Sequence, residues 1–305
     1  WVRRLEENGI HVAYGTIGLK THTKTALVVR QEDDGVQLYS HVATGNYHSE
    51  TAKGYVDLGL FTADSDIGQD IVRLFNSFTG HSRQQTYRKL LVAPETLRER
   101  LHGLIDRERK RATSGDGGRI VAKMNSLEDP AVVRKLYDAA EAGVEIDLIV
   151  RGICRLRPGI EGVSDTVDVY SVVGRFLEHS RIFYFENGAR ASDSDADRSP
   201  EYYLGSADWM TRNLDHRVEA VTPVDDPDLR EQLRFILEVV RNDNRTCWTM
   251  NADGSYDQRT PGDEPARATQ SVLMDAVRAA HDHDDDRGLD TDHPASPGDL
   301  LVGDG

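Results

Sequence analysis

Cysteine is scarce. The 305 residues contain two, Cys154 and Cys247, and neither belongs to a Cys-x-x-Cys pair. Two cysteines cannot make a disulfide framework, and a reducing intracellular compartment is the simplest expectation. Lysine is also scarce, with seven residues against thirty arginines. Acidic residues outnumber basic ones by 52 to 37, which leaves a formal net charge of -15. Such a chain repels nucleic acid and anionic membrane except where cations are gathered locally. An acidic, lysine-poor surface suits a halophilic, haloarchaeal source, and an acidic protein from a GC-rich genome fits it as well. No apolar run approaches the length of a membrane span, and no signal peptide opens the chain. Trp1 is not an initiator methionine. The opening stretch reads as the last turns of a helix entering a strand, so further residues are expected upstream.

What is present is enough apolar sequence for a core, 38% of residues, arranged in alternating periods. His11 to Tyr14, Ala26 to Arg30 and Val36 to Val42 read as strands, the last two joined at Asp33-Asp34-Gly35 as a hairpin. Ile67 to Phe78 and Leu97 to Ala112 read as helices. The segment Ile120 to Met124 is then a strand. Pro130 to Ala142 is a helix closed by Gly143, and Val144 to Val150 is a strand. Further strands are expected at Val167 to Val173, Ser180 to Phe185 and Tyr202 to Gly205, with a helix at Asp228 to Arg241. The alternation predicts an α/β fold with mixed sheets flanked by helices. From Asn251 onward there are thirteen acidic and four basic residues. This predicts a mostly disordered tail with a short helix at Thr269 to Ala280. Its cluster His281 to Asp286 reads as a solvated run more readily than as a metal site.

One plan occurs twice. Lys20-Thr-His22-Thr-Lys24 precedes an apolar strand and, later, the turn Thr44-Gly45-Asn46. Glu178-His179-Ser-Arg181 precedes another, with a later turn Gly205-Ser206-Ala-Asp208. A His and a cation two apart on a strand share one face. The imidazole is a nucleophile toward phosphorus, and the cation neutralises phosphoryl oxygens in transit. Backbone N–H groups of the turns, at Asn46 and Ser206, are expected to cradle a further oxygen. Two flanking cations beside His22 cost stability unless an anion binds between them. For His179, a plain salt bridge between Glu178 and Arg181 is the rival reading. Arg151 ends a strand, where α/β sheets bind ligands. Arg155 and Arg157 either extend a basic groove or face solvent. Lys123 and Asn125 either line the same pocket or cap the core. His41, His48, His81, His102 and His216 follow no usable pattern.

The doubled His-x-cation plan resembles the phospholipase D superfamily. Val29 stands where that signature has Asp, and Arg181 replaces the second Lys. A fuller resemblance is to the long, histidine-dependent polyphosphate kinases. It is carried by Gly18-Leu-Lys-Thr-His22-Thr-Lys24, Ala43-Thr-Gly-Asn-Tyr47, Tyr55-Val-Asp-Leu-Gly-Leu-Phe-Thr-Ala-Asp64 and Tyr87-Arg-Lys-Leu-Leu-Val-Ala-Pro94. It continues through Ala122-Lys-Met-Asn-Ser126, Asp147-Leu-Ile-Val-Arg-Gly-Ile-Cys154, Gly174-Arg-Phe-Leu-Glu-His-Ser-Arg181, Gly205-Ser-Ala-Asp-Trp-Met210 and Arg212-Asn-Leu-Asp215. These span residues 1 to 245 in order. The resemblance implies two phospholipase D-like domains, 1–89 and 90–248, followed by the tail 249–305. It implies His22 as the phosphorylated histidine and His179 as a second active-site histidine that contacts nucleotide phosphate. Tyr55 and Arg151 become ATP contacts, while Lys24 and Arg181 enter from the charge argument. ATP or ADP and inorganic polyphosphate are the implied substrates, with Mg2+ held by family positions that would precede Trp1. A cytoplasmic homo-oligomer, with peripheral attachment to the inner membrane face, is also implied. A phospholipase D-type phosphodiesterase, or an inactive fragment that binds polyphosphate, is the alternative.

Overall fold

The structure is a computed structural model that describes residues 2–15, 18–79, 86–189 and 198–286. His81 and Trp1 lie outside the described residues, as do residues 287–305 and the side chains of the His281 to Asp286 cluster. The chain begins with α1 (Val2–Glu7), β1 (Lys20–Thr21), β2 (Lys24–Glu32) and β3 (Gly35–Ala43). It continues through α2 (Ser49–Ala52), β4 (Tyr55–Val56), β5 (Gly59–Thr62) and α3 (Ser65–Phe78). Then come β6 (Leu91–Ala93), α4 (Leu97–Thr113), β7 (Arg119–Met124), α5 (Pro130–Glu141) and β8 (Glu145–Val150). The strands β9 (Val167–Val172), β10 (Leu177–Glu178), β11 (Ile182–Phe185) and β12 (Glu201–Gly205) follow. The last elements are α6 (Thr211–Asp215), β13 (Arg217–Val224), α7 (Pro227–Arg241), β14 (Cys247–Met250), β15 (Tyr256–Gln258) and α8 (Thr269–Asp286).

Local chemistry explains where the helices start. Asp64, Asp129 and Asp226 each cap a helix by accepting from two backbone N–H groups of its first turn. In α5 and α7 a proline follows at once, where its missing N–H costs nothing. Gly143 ends the α5 turn at φ 91°, a conformation glycine adopts freely. The α3 stripe buries Ile67, Ile71 and Leu74, each contributing roughly 1.5–3 kcal/mol of hydrophobic transfer.

A ten-stranded mixed sheet runs β1-β13-β12-β11-β7-β8-β9-β14-β15, with β6 also paired to β13. Helices α4 and α5 pack on one face through Leu101, Ile105, Val132 and Leu136. On the other face, α7 packs through Leu233, Leu237 and Val240. This gives the expected α/β layering. A separate three-stranded sheet, β2-β3-β5, packs its inner face on α3. Its β2–β3 hairpin turns at Asp33-Asp34, as the sequence predicts. Two expectations fail. Residues 11–15 form no strand, because the free edge of β13 is taken by Lys20–Thr21, and an unpaired strand has no ladder to stabilise it. Residues 249–268, expected to be disordered, complete the β14–β15 hairpin and its link to α8, while the helix expected from Thr269 is present and runs on to Asp286.

Asp243 is what fixes that segment. Its buried carboxylate accepts from the N–H groups of Arg245, Thr246, Cys247 and Thr269, and from the hydroxyls of Thr246 and Thr269. It joins the end of α7 to the start of α8. Replacement Asp243→Ala is expected to lower stability by about 3 kcal/mol, since it strands several buried donors. Melting temperature and amide exchange in α8 would show it, and an unchanged melting temperature would refute it.

Candidate active site

Two short parallel pairings bring the two histidines to their stations. In one, Lys20–Thr21 runs beside Arg217–Val218. The next residues are His22 and Glu219. In the other, Leu177–Glu178 runs beside Tyr55–Val56, and the next residues are His179 and Asp57. The two arrangements are the same in every step. His22 Nδ1 is 2.8 Å from Glu219 Oε2, and His179 Nδ1 is 2.7 Å from Asp57 Oδ1. Each imidazole therefore takes its carboxylate from the other half of the repeat. A neutral imidazole then donates through Nδ1–H and leaves Nε2 with its lone pair.

Each carboxylate is fixed in turn by a hydroxyl thirteen residues earlier in its own half. Thr44 Oγ1 donates to Asp57, and Ser206 Oγ donates to Glu219. Glu219 also accepts from Asn213 Nδ2 at 2.6 Å. The glycines of the two turns serve packing. A methyl group on Gly45 would overlap the Asp57 carboxylate, and one on Gly205 would overlap the backbone of β13.

The cations differ between the halves. Both donate to the carbonyl of their own histidine, Lys24 to His22 and Arg181 to His179. Arg181 is also gripped by Asp208 at 3.1 and 3.2 Å. In the first half, Asn46 stands two residues after Thr44, as Asp208 stands two after Ser206. An uncharged amide therefore replaces the neutralising acid. Among the described residues Lys24 has no ion-pair partner, although it is buried. Burial brings its pKa down to about 8, against the pull of Glu219 and Asp57 and with the push of Arg181 and Arg217. Lys24 thus lies within reach of charges from both pairs, and the two half-sites converge around it. Burial likewise holds His179 below its ordinary pKa; Arg181 adds to this and Asp57 opposes it.

The polyphosphate kinase C-terminal domain 1 model matches residues 1–84, and the polyphosphate kinase C-terminal domain 2 model matches residues 90–270. This chain belongs to the polyphosphate kinase family. It is similar to polyphosphate kinases from Synechocystis sp. (54% identical over 274 residues) and Thermosynechococcus vestitus (54% over 275), in each case over 90% of this chain and 36% of the relative. The chain thus spans about a third of the length of those relatives. The crystal structure of the polyphosphate kinase from Porphyromonas gingivalis superposes with a TM-score of 0.84 at 36% identity, covering 92% of this chain and 42% of that one.

Of the site residues expected from the sequence of this polyphosphate kinase family member, His22, Lys24, His179 and Arg181 come together. Tyr55 joins them, its ring 5.1 Å from that of His179. Arg151 approaches through Asn125, whose Oδ1 accepts from Arg151 Nε at 2.9 Å and Nη2 at 2.7 Å. Asn125 in turn donates to Asp208. Asn46 is exposed beside its turn. Ser206 departs from expectation. It is fully buried, its N–H goes to Ala220 O and its hydroxyl to Glu219, so it orients an acid and has no donor left for phosphate. The repeat is also offset from the sequence reading, which set Gly45 beside Gly205 and Asn46 beside Ser206: Thr44 is the residue that corresponds to Ser206. Lys123 is buried against Glu178 at 3.1 Å and Ser180 at 2.8 Å, a structural pair. Arg155 pairs with Glu128 at the surface.

Asp57 and Glu219 were not among the expected site residues. Each follows a Val in a short strand (Val56-Asp57, Val218-Glu219), a third element of the repeat that the sequence does contain. Substitution Gly45→Ala is expected to push Asp57 off His179 and slow any chemistry that uses His179 by about tenfold. Loss of stability with no change in rate would count against that role.

Proposed function

We propose that the chain carries the catalytic centre of an ATP:polyphosphate phosphotransferase, with His22 as the phosphoryl carrier. The observation that supports this best is the buried, unpaired Lys24 beside an imidazole whose Nδ1 is tied to Glu219. A cation left without an acid in a buried site is costly unless an anion completes it. A phosphoryl group is such an anion, and Nε2 of His22 is the atom free to receive it.

In this reading Nε2 attacks the γ-phosphorus of ATP. The N–P bond forms as the bond from phosphorus to the bridging β–γ oxygen breaks, and ADP leaves with that electron pair. The Nδ1 proton stays shared with Glu219, which offsets the positive charge growing on the ring. Lys24 neutralises the equatorial oxygens, while Arg181, already matched by Asp208, holds the His179 backbone in place. A terminal oxygen of polyphosphate then attacks the same phosphorus, and Nε2 leaves. Run backwards, the sequence makes ATP. Burial keeps His179 neutral, and in this reading the arriving phosphate draws a proton onto its Nε2, which then donates to a phosphate oxygen. This reading assigns nucleotide contacts to Tyr55, whose ring lies against that of His179, and to Arg151.

Magnesium enters this reading on the nucleotide's own phosphates. The described residues offer no group of three or more His, Cys, Asp or Glu side chains that could hold it. We read the chain as two phospholipase D-like halves meeting near residue 90, the second reaching into α8. A cytoplasmic setting suits ATP as substrate, and no helix among the described residues is long and apolar enough to cross a membrane. The phosphodiesterase alternative is weakened by Val29, 60% exposed on β2 where that signature has Asp.

Incubation with ATP labelled at the γ position is expected to give an acid-labile, base-stable protein label that is absent from His22→Ala. Glu219→Gln is expected to label about 100-fold more slowly, because the wrong tautomer is held. Label retained in His22→Ala would end this assignment. Lys24 gives a pH test. As the pH rises past about 8 its ammonium loses a proton, so binding of phosphate ligands should weaken there. Lys24→Arg, charged throughout, should abolish that decline, while Lys24→Met should bind poorly at every pH. A decline that persists in Lys24→Arg would assign it to another group.

A further inference from the structure

The two half-sites correspond along their paired strands, and the pairs that stand two residues before the histidines differ in charge; the other difference, Glu178 for Thr21, is cancelled by Lys123. Beside His22, Lys20 stands opposite Arg217. Beside His179, the corresponding residues are Leu177 opposite Tyr55. Each pair stands two residues before its histidine and its carboxylate. Residues two apart on extended chain share a face, so each pair forms a rim of the site on its own side. One rim is cationic and the other is apolar.

The cationic rim has no acid to balance it. Lys20 is exposed and Arg217 half-buried. Among the described residues neither has a carboxylate at ion-pair distance. Arg217 also acts on the buried Lys24. Three cations on one side of a site repel one another, and the cost falls only when an anion of several charges lies among them. The apolar rim is different. Tyr55 opens onto a cavity of ≈ 520 Å³ lined by Phe176, Leu273, Met274 and Val277, and its two cations, Lys53 and Arg278, are each paired with an acid, Glu50 and Asp275. That end suits a planar base and offers a chain of phosphates little.

We propose that Lys20 and Arg217 form the subsite for the second and later phosphates of the polyphosphate chain. It lies on the side of His22 remote from the nucleoside. This rests on the phosphotransferase reading and adds a direction to it: nucleoside at the Tyr55 rim, polymer at the Lys20–Arg217 rim. The pseudo-symmetric site is thereby polar, and the two substrates reach one imidazole from opposite ends.

The test is equilibrium titration of the protein with inorganic polyphosphate and, separately, with ADP. Lys20→Gln and Arg217→Gln are each expected to weaken polyphosphate binding about tenfold, and the pair together about a hundredfold. ADP binding should stay within about twofold of wild type. Tyr55→Ala should show the reverse pattern. Lys20→Arg should retain most of the affinity. Because Lys20 is exposed, Lys20→Gln keeps the fold intact whatever Arg217 contributes, and a melting curve of each variant checks this. Polyphosphate binding unchanged in the double variant, or an equal loss for ADP, would overturn the assignment. If the unaltered protein bound neither ligand, the phosphotransferase reading itself would fall and this subsite with it.

Discussion

The crossed hydrogen bonds from each imidazole to the opposite half's carboxylate are the constraint on which this site depends. An unanchored imidazole rotates and exchanges tautomers, and neither state keeps a lone pair aimed at phosphorus. Glu219 and Asp57 remove that freedom. They do so only because two-residue strands from one half lie in register beside strands of the other. The large sheet, the three cores and the capped helices exist in this sense to hold two short pairings to within a fraction of an ångström. The buried hydroxyls of Thr44 and Ser206, and the two turn glycines beside them, extend that control one layer outward.

Symmetry of scaffold does not mean symmetry of chemistry. The same backbone plan carries Lys24 beside Asn46 in one half and Arg181 beside Asp208 in the other. In the second half the charge is cancelled within the protein, so it stiffens the site. In the first it is left for a ligand. A single exchange of acid for amide thus leaves one half with an uncancelled cation and the other with a paired one. The net charge of -15 is no obstacle, because binding answers to the local field.

Much of this was legible in the sequence. The alternation of β2 and β3 about Asp33-Asp34, the stripe of α3 and the apolar run of β8 follow from side-chain period alone. The two His-x-cation motifs were legible because a nucleophile and a cation two apart on a strand have few other uses. The carboxylates were not found, although Val56-Asp57 and Val218-Glu219 echo each other. Their partners lie 122 and 197 residues away in the chain, and strand pairing at that range leaves no local trace. Ser206 was misread for a related reason. Its backbone N–H looked available in the sequence, whereas the fold spends it on Ala220 O and buries the residue. In the segment after Met250 the helix from Thr269 was legible, but the acidic average hid the contacts that Thr269 and Gln270 make with the rest of the fold. Gln270 reaches Phe176 O and Glu178, so α8 leans on the strand that presents His179.

Because each imidazole borrows its acid from across the repeat, neither half holds a complete histidine–carboxylate pair of its own. A half expressed alone would have to recruit a second copy, two units trading carboxylates about a dyad. Within one chain the partner is always at hand, and the two contributions need not be alike.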